Sequence, residues 1–161
     1  FRPPEQADYM ALAAAEAELA RLRPAWERDG IIPTEAIPTG DKTGEALVRG
    51  MTHWADLFAP RQLLAAGVLV EELKALHADI IATEGEELGE AVVHMLAASL
   101  DKFLDYSNAL TTWEYTRGIA KHLFQRHDFS FKATFAEMAP CVAGGGLAWT
   151  ISNVSDAYEQ L

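Results

Sequence analysis

Residues 60–112 constrain the fold most, because they contain two long amphipathic segments joined by a short connection. Pro60 suits the first turn of a helix, where its missing N–H would be unpaired anyway, and Gly85 is a helix stop signal. The connection is short, so we expect two antiparallel helices. The apolar residues of the first arm recur at three- and four-residue steps: Leu63, Ala66, Val70, Leu73, His77, Ile80 and Ile81. The pattern predicts a central helical hairpin.

The second arm, residues 86–110, repeats this pattern. Its apolar stripe comprises Leu88, Val92, Met95, Leu96, Ser99, Phe103, Tyr106 and Leu110. Glutamates surround its start: Glu84, Glu86, Glu87 and Glu90. Negative charge at a helix N-terminus is favoured by the helix dipole, so we interpret this run as a solvated first turn and not as a metal site. We expect His77, on the apolar face of the first arm, to be a hydrogen-bonded core residue.

Three further helices flank the hairpin. Residues 5–27 are rich in Ala, Glu and Leu, which favour helix, and we expect Pro24 to bend or end this segment. Residues 45–58 resemble a short helix, and residues 147–161 predict a final helix with Ile151, Val154 and Tyr158 on one side. The sequence therefore predicts an all-α bundle of about five helices with two irregular loops.

The first irregular loop covers residues 31–46, where two prolines and two glycines forbid a continuous helix or a central strand. It is either a surface connector or a loop for a ligand or nucleic acid. Its segment Thr39–Gly44 lacks the residue spacing of a phosphate-binding loop. The second loop, residues 135–146, contains three consecutive glycines, which permit a close backbone approach or a hinge.

Residues 113–146 form a basic and aromatic segment that ends in the glycine-rich loop. Between Tyr115 and Ala133 its one acidic residue is Asp128. Cations alternate there with aromatic residues: Arg117, Lys121, Arg126 and Lys132 with Tyr115, Phe124, Phe129 and Phe131. Such a mixture can follow a phosphate backbone and stack on bases. The alternative is that the aromatic residues are core and the cations are solvated. Residues 128–131 alternate like a short extended link.

Composition sets limits on the function of the chain. The 161 residues are consistent with one domain, residues 1–161. A formal net charge of −11 repels nucleic acid and anionic membranes unless a local basic patch reverses it.

The single cysteine, Cys141, excludes an internal disulfide and favours a reducing, cytoplasmic location. No apolar run has the length of a membrane span. A sequence that begins with Phe1 suggests a piece of a longer protein.

A polar ridge interrupts the second arm. Asp101, Asp105 and Asn108 share one face, and with Glu137 they could bind a cation or the edge of a base. The alternative is a solvent-facing strip, or buried polar groups that cap a neighbouring loop. The histidines show no metal-binding spacing. Cys141 has no partner motif for nucleophilic catalysis.

Several stretches together resemble a known family. They are Glu35–Pro38, Trp54–Leu64, Leu100–Asn108 followed by Trp113, and Phe135–Pro140. Their order and spacing are similar to those of the large adenine-specific DNA methylase-like proteins that begin with a domain of unknown function. The resemblance covers roughly residues 31–160, and its most specific part is Leu57-Phe58-x-Pro60-Arg61-Gln62-Leu63-Leu64. It implies the helical region between the glycine-rich S-adenosylmethionine loop and the catalytic Asp-Pro-Pro-Tyr motif of that family.

This sequence departs from the family pattern at several positions. Ala139 replaces an asparagine, and Ser107-Asn108 replaces Asn-Ser. Neither the cofactor loop nor Asp-Pro-Pro-Tyr, which orients the flipped adenine, occurs in this sequence. The resemblance therefore implies a non-catalytic segment of an adenine-specific DNA methyltransferase, which scaffolds the catalytic domain or positions DNA. S-adenosylmethionine would be bound by the remainder of the parent protein.

The resemblance and the charge pattern select two groups of candidate residues. For DNA phosphate contact they are Arg61, Arg117, Lys121, Arg126 and Lys132. For polar contacts near a cleft they are Asp105, Asn108 and Glu137. No residue is assigned to catalysis or to a metal. The alternative function is a helical module for protein interaction or homodimerisation, which the acidic balance and the two-sided apolar hairpin favour.

Overall fold

The computed structural model describes residues 2–123, 131, 136–142 and 146–160. This part of the chain contains five α-helices and one antiparallel pair of short strands. In chain order they are α1 (Gln6–Arg28), α2 (Gly44–Val48), α3 (Pro60–Glu84), α4 (Glu86–Asp105), β1 (Thr112–Glu114), β2 (Ile119–Lys121) and α5 (Gly146–Tyr158). The predicted all-α fold class is confirmed, with the two-stranded hairpin as an addition. The extended link predicted over residues 128–131 lies outside the described residues, apart from Phe131.

The chain packs as two compact units, residues 1–67 and 68–161. Helix α3 begins in the first unit and ends in the second. The single domain predicted over residues 1–161 stays a prediction, because compact units of one chain can fold together.

Trp26 of α1 forms the centre of the first unit and is 1% exposed. It packs in a cluster with Leu19, Ile32, Ala55 and Leu63. The helix does not end at Pro24 but continues to Arg28. Proline removes one N–H donor, which leaves the carbonyl four residues earlier without its helical partner. Both Pro24 and that residue, Ala20, are exposed, so water can hydrogen-bond to the carbonyl.

The single helix predicted over residues 45–58 is wrong, because α2 ends at Val48 and a separate 3₁₀ turn spans Trp54–Leu57. Between them the chain runs beside the preceding loop, where Ala36 and His53 form an isolated antiparallel bridge. The Asp56 carboxylate then accepts hydrogen bonds from the backbone N–H groups of His53 and Thr52, both at 2.8 Å. These bonds, that of His53 above all, hold the pKa of Asp56 below its usual value. The bridge and this side-chain cap replace helical hydrogen bonds.

The predicted hairpin is formed by α3 and α4, which Gly85 alone connects. Gly89 is buried, and a Cβ atom built on it would lie 2.8 Å from Ile81 Cδ1, so the two helices approach closely. His77 Nε2 lies 2.9 Å from Glu90 Oε1. The hydrogen bond expected for His77 is therefore present. However, 45% of its side chain is exposed, so the prediction of a core position was wrong.

Helix α5 packs antiparallel against α4. Trp149, near the start of α5, lies beside Lys102 near the end of α4, whereas Tyr158 at the end of α5 lines the same groove as Leu88. Both helices end earlier than predicted, α4 at Asp105 instead of residue 110 and α5 at Tyr158 instead of residue 161. The side chain that ends α4 belongs to the candidate site below.

Gly67→Ala should destabilise the first unit, because the added methyl group would overlap the ring of Trp26. That ring is surrounded by core and cannot move aside without unpacking it. We expect the free energy of unfolding to fall by about 1–3 kcal/mol, measured by urea unfolding. In the matched control Gly44→Ala, the new Cβ would have nothing within 4 Å, and stability should change by less than about 0.5 kcal/mol. Equal urea midpoints for the two variants would contradict this packing.

Candidate functional site

The polar candidates come together at the C-terminal end of α4, in the second unit. Residues 136–140 run beside the turn that follows this helix. The Met138 N–H donates a hydrogen bond to the Tyr106 carbonyl, and the Ala136 N–H donates one to the Thr111 carbonyl, both at 3.1 Å. These two bonds flank Glu137, which is half-buried with its Oε2 atom shielded from solvent. The same end of α4 therefore holds Asp105, Asn108 and Glu137.

Asn108 is the side chain that ends α4, and only 2% of it is exposed. Its Nδ2 group donates to the Leu104 carbonyl at 2.8 Å and to the Asp105 carbonyl at 3.3 Å. Its Oδ1 atom accepts the Leu110 N–H at 2.9 Å. Helix ends leave carbonyls without partners, and Asn108 satisfies two of them. Its amide is thus engaged with backbone groups, as the loop-capping alternative described.

Asp105 begins a cluster of acidic and aromatic side chains. Its carboxylate is 14% exposed and lies 3.3 Å from His122 Nδ1. The Tyr106 ring is 5.5 Å from the His122 ring and 5.4 Å, edge to face, from the Trp149 ring. Lys102 Nζ lies 4.9 Å from the centre of the Trp149 ring, a cation–π distance. A half-buried acid–imidazole pair beside the Tyr106 ring can hydrogen-bond to and stack on a polar planar group, which suits binding.

The cationic candidates are less concentrated. Arg117 is exposed in the turn between β1 and β2. Lys121 is on β2, and its Nζ lies 3.5 Å from the Glu114 carboxylate across the strand pair. Arg61 is exposed in the first turn of α3 and belongs to the first unit. Arg126 and Lys132 lie outside the described residues.

Glu114 reduces the net positive charge of the hairpin formed by β1 and β2. The Thr116 hydroxyl donates to it at 3.0 Å, and this bond, followed by the charges of Lys121 and Arg117, lowers the pKa of Glu114. The carboxylate therefore stays ionised and partly neutralises both cations. Sequence periodicity does not predict the β1–β2 hairpin, because each strand has only three residues. The one sequence feature that indicates this pair of strands is the turn sequence Thr116-Arg117-Gly118 between two short runs that favour β structure.

An open apolar groove between α4 and α5 is the feature that sequence reasoning did not anticipate. It encloses about 470 Å³ and is lined by Leu88, Val92 and Met95 on α4 and by Ile151, Val154 and Tyr158 on α5. Leu88 is 55% and Tyr158 is 65% exposed. The sequence placed these residues on apolar stripes, but periodicity does not show whether another element covers a stripe.

Some kinds of site receive no support from the geometry. Among the described residues, no three His, Cys, Asp or Glu side chains are grouped closely enough to hold a metal ion. None of the described helices combines the length and the apolar character that crossing a membrane requires. Cys141 is exposed.

Comparison of the chain with protein-family models, with curated proteins and with solved structures found no match.

Asn108→Ala should lower the free energy of unfolding by about 2 kcal/mol, because it removes the acceptor of the buried Leu110 N–H and the Nδ2 donor that bonds to two carbonyls at the end of α4. Urea unfolding would measure this loss. The matched control is Asn153→Ala, whose half-buried amide donates to the Trp149 carbonyl at 2.8 Å. We expect a change of less than about 0.5 kcal/mol there. Similar losses for both variants would show that Asn108 has no special role.

Asp105→Asn should lower the pKa of Tyr106 towards its ordinary value of 10.0. Burial is the main cause that raises this pKa, and the Asp105 charge adds to it. The folded state favours the protonated phenol of Tyr106. The stability that this adds to the folded state is therefore complete below the ordinary tyrosine pKa and is lost as the pH rises through the raised pKa of Tyr106. Ultraviolet absorbance of tyrosinate, with Tyr106→Phe to assign the signal, measures the shift. Asp101→Asn, one turn earlier and exposed, should move it less, and equal shifts would exclude a specific Asp105 effect.

Proposed function

We propose that this chain is a non-catalytic helical segment of an S-adenosylmethionine-dependent, adenine-specific DNA methyltransferase, in which it scaffolds the catalytic domain or positions DNA. The cofactor and the catalytic motif belong to the remainder of the parent protein, because their sequence motifs do not occur here. The proposed location is cytoplasmic.

The pairing of the four family-like stretches carries this proposal. In the first unit, the Trp54 N–H donates to the Glu35 carbonyl at 3.2 Å, which joins the first stretch to the second. In the second unit, the Met138 N–H donates to the Tyr106 carbonyl, which joins the third stretch to the fourth. Stretches that are distant in sequence thus form two local structures, as motifs with a shared structural role would.

Among the described residues, the β1–β2 hairpin is best suited to contact DNA. Its turn is exposed and contains Tyr115, 85% exposed, beside Arg117. An exposed guanidinium can contact a phosphate and an exposed ring can stack on a base. The acidic chain opposes such contact overall, so only a local cationic surface can provide it.

A second candidate function is a helical module that binds another protein and has no nucleic-acid role. The exposed apolar groove between α4 and α5 favours it, because exposed apolar surfaces of this kind mark interaction sites.

Removing the Glu114 charge should strengthen DNA binding. If Arg117 and Lys121 contact phosphates, Glu114→Gln frees them from a competing carboxylate, and affinity for a short duplex at low salt should rise about two- to fivefold. Arg117→Gln should weaken binding. It should also reduce the slope of the logarithm of the binding constant against the logarithm of the salt concentration by about one, as expected for the loss of one phosphate contact. Fluorescence anisotropy over a salt series measures both effects.

Matched controls separate local from general charge effects. Glu16→Gln on α1 and Lys42→Gln in the loop before α2 change the same charges at exposed positions, and we expect little effect from either. No binding at low salt, or equal effects of Glu114→Gln and Glu16→Gln, would remove the DNA role. An Asp-Pro-Pro-Tyr motif further along the full-length reading frame would identify the parent protein independently.

A further inference from the structure

We propose that the groove between α4 and α5 binds one basic amphipathic helix of a partner protein. This inference rests on the protein-interaction role described above and does not depend on the DNA role. The groove follows α4 from Leu88 to Ser99 and α5 from Tyr158 back to Ile151. A helical stretch from Leu88 to Ser99 covers about 17 Å, the length of about three turns of a docked helix.

The lining of the groove suits the apolar face of such a helix. Leu88 and Tyr158 are more than half exposed at one end, and Ile151 is 39% exposed towards the other. Met95 lies between them, and its flexible thioether side chain can adapt to different partner residues. Helices bind in grooves of this kind through apolar anchors spaced three, four and seven residues apart.

The charges around the groove decide which partner fits. The stretches that form it, residues 84–99 and 146–160, contain no lysine or arginine. Because α5 is antiparallel to α4, the exposed Glu86 and Glu87 are at the same end as the exposed Asp156 and Glu159. A helix with cations beside its apolar face would complement this rim. A second copy of the chain would bring the same acidic rim and a net charge of −11, so like charges oppose self-association there.

The test uses a synthetic helix of about four turns, with leucines on one face and lysines on the other, and measures its binding to the whole chain by fluorescence anisotropy. Two further peptides serve as controls. One has the same composition but distributes its leucines around the helix, and the other replaces every lysine by glutamate. We expect binding of the first peptide only.

Variants then locate the binding surface. Leu88→Ser and Tyr158→Ser should each weaken binding about tenfold, because each removes an apolar anchor. Glu87→Gln should weaken it about two- to fivefold. Val48→Ser is the matched control, since Val48 is 87% exposed on α2 in the first unit, and it should leave binding unchanged. Circular dichroism melting curves of all variants show whether each is folded.

The possible outcomes separate this inference from the role on which it rests. If no peptide binds and sedimentation shows a monomer, both the interaction role and the basic partner are wrong. If the glutamate peptide binds equally well, or if the chain forms a dimer that Leu88→Ser disrupts, the interaction role survives and the basic helix is wrong. If the peptide with distributed leucines binds equally well, only general charge attraction is present and the inference fails.

Discussion

The close approach of α3 and α4 at their single-residue connection determines the arrangement of the second unit. With only Gly85 between them, the two helices reverse direction immediately, and His77 Nε2 on α3 lies 2.9 Å from Glu90 Oε1 on α4. The absence of a side chain at Gly89 lets Ile81 pack against the backbone of α4. This contact fixes which face of α4 is turned towards α3. The remaining faces of α4 are then available for α5, for the groove and for the polar turn at its end.

The grouping of Asp105, Asn108 and Glu137 depends on where α4 ends. Asn108 satisfies the last carbonyls of the helix and the N–H of Leu110, which turns the chain towards β1. That turn leaves the Tyr106 and Thr111 carbonyls free of helical bonds, and residues 136–138 donate to them. Asp105 and Glu137 therefore come to the same region as a consequence of one buried amide. The structure favours a positioning role for Asn108 over direct contact with a ligand.

The sequence predicted those parts of the fold that depend on local periodicity. The long helices α1, α3 and α4 and the antiparallel hairpin follow from apolar spacing and from Gly85, and the fold class was correct. The helix predicted over residues 45–58 failed because a non-local bridge between Ala36 and His53 competes with helical bonds. The β1–β2 hairpin was missed because three-residue strands have almost no periodic signal.

The candidate site was predictable to a similar extent. The spacing of Asp105 and Asn108 predicted one shared helix face, but α4 ends at Asp105 and Asn108 lies in the turn that follows. Spacing could not show that, within the described part of the chain, the Asn108 amide bonds to backbone groups. The composition of residues 113–146 identified Arg117 and Lys121, but not the Glu114 carboxylate that partly neutralises them. The openness of the α4–α5 groove was not predictable, because the same apolar stripe is expected whether or not a further element covers it.

The length of α4 places the surface proposed for DNA and the groove proposed for a basic partner at opposite ends of one helix. Its 20 residues span about 30 Å. The exposed Glu86 and Glu87 are at its start, whereas Lys102 and the hairpin cations lie at or beyond its end. Salt screens charges over about 8 Å under physiological conditions, so the acidic rim of the groove repels little at the hairpin. The acids near the hairpin are themselves engaged, Asp105 with His122 and Glu114 with Lys121. A net charge of −11 therefore does not by itself exclude a nucleic-acid contact at one end of α4 and a basic partner at the other.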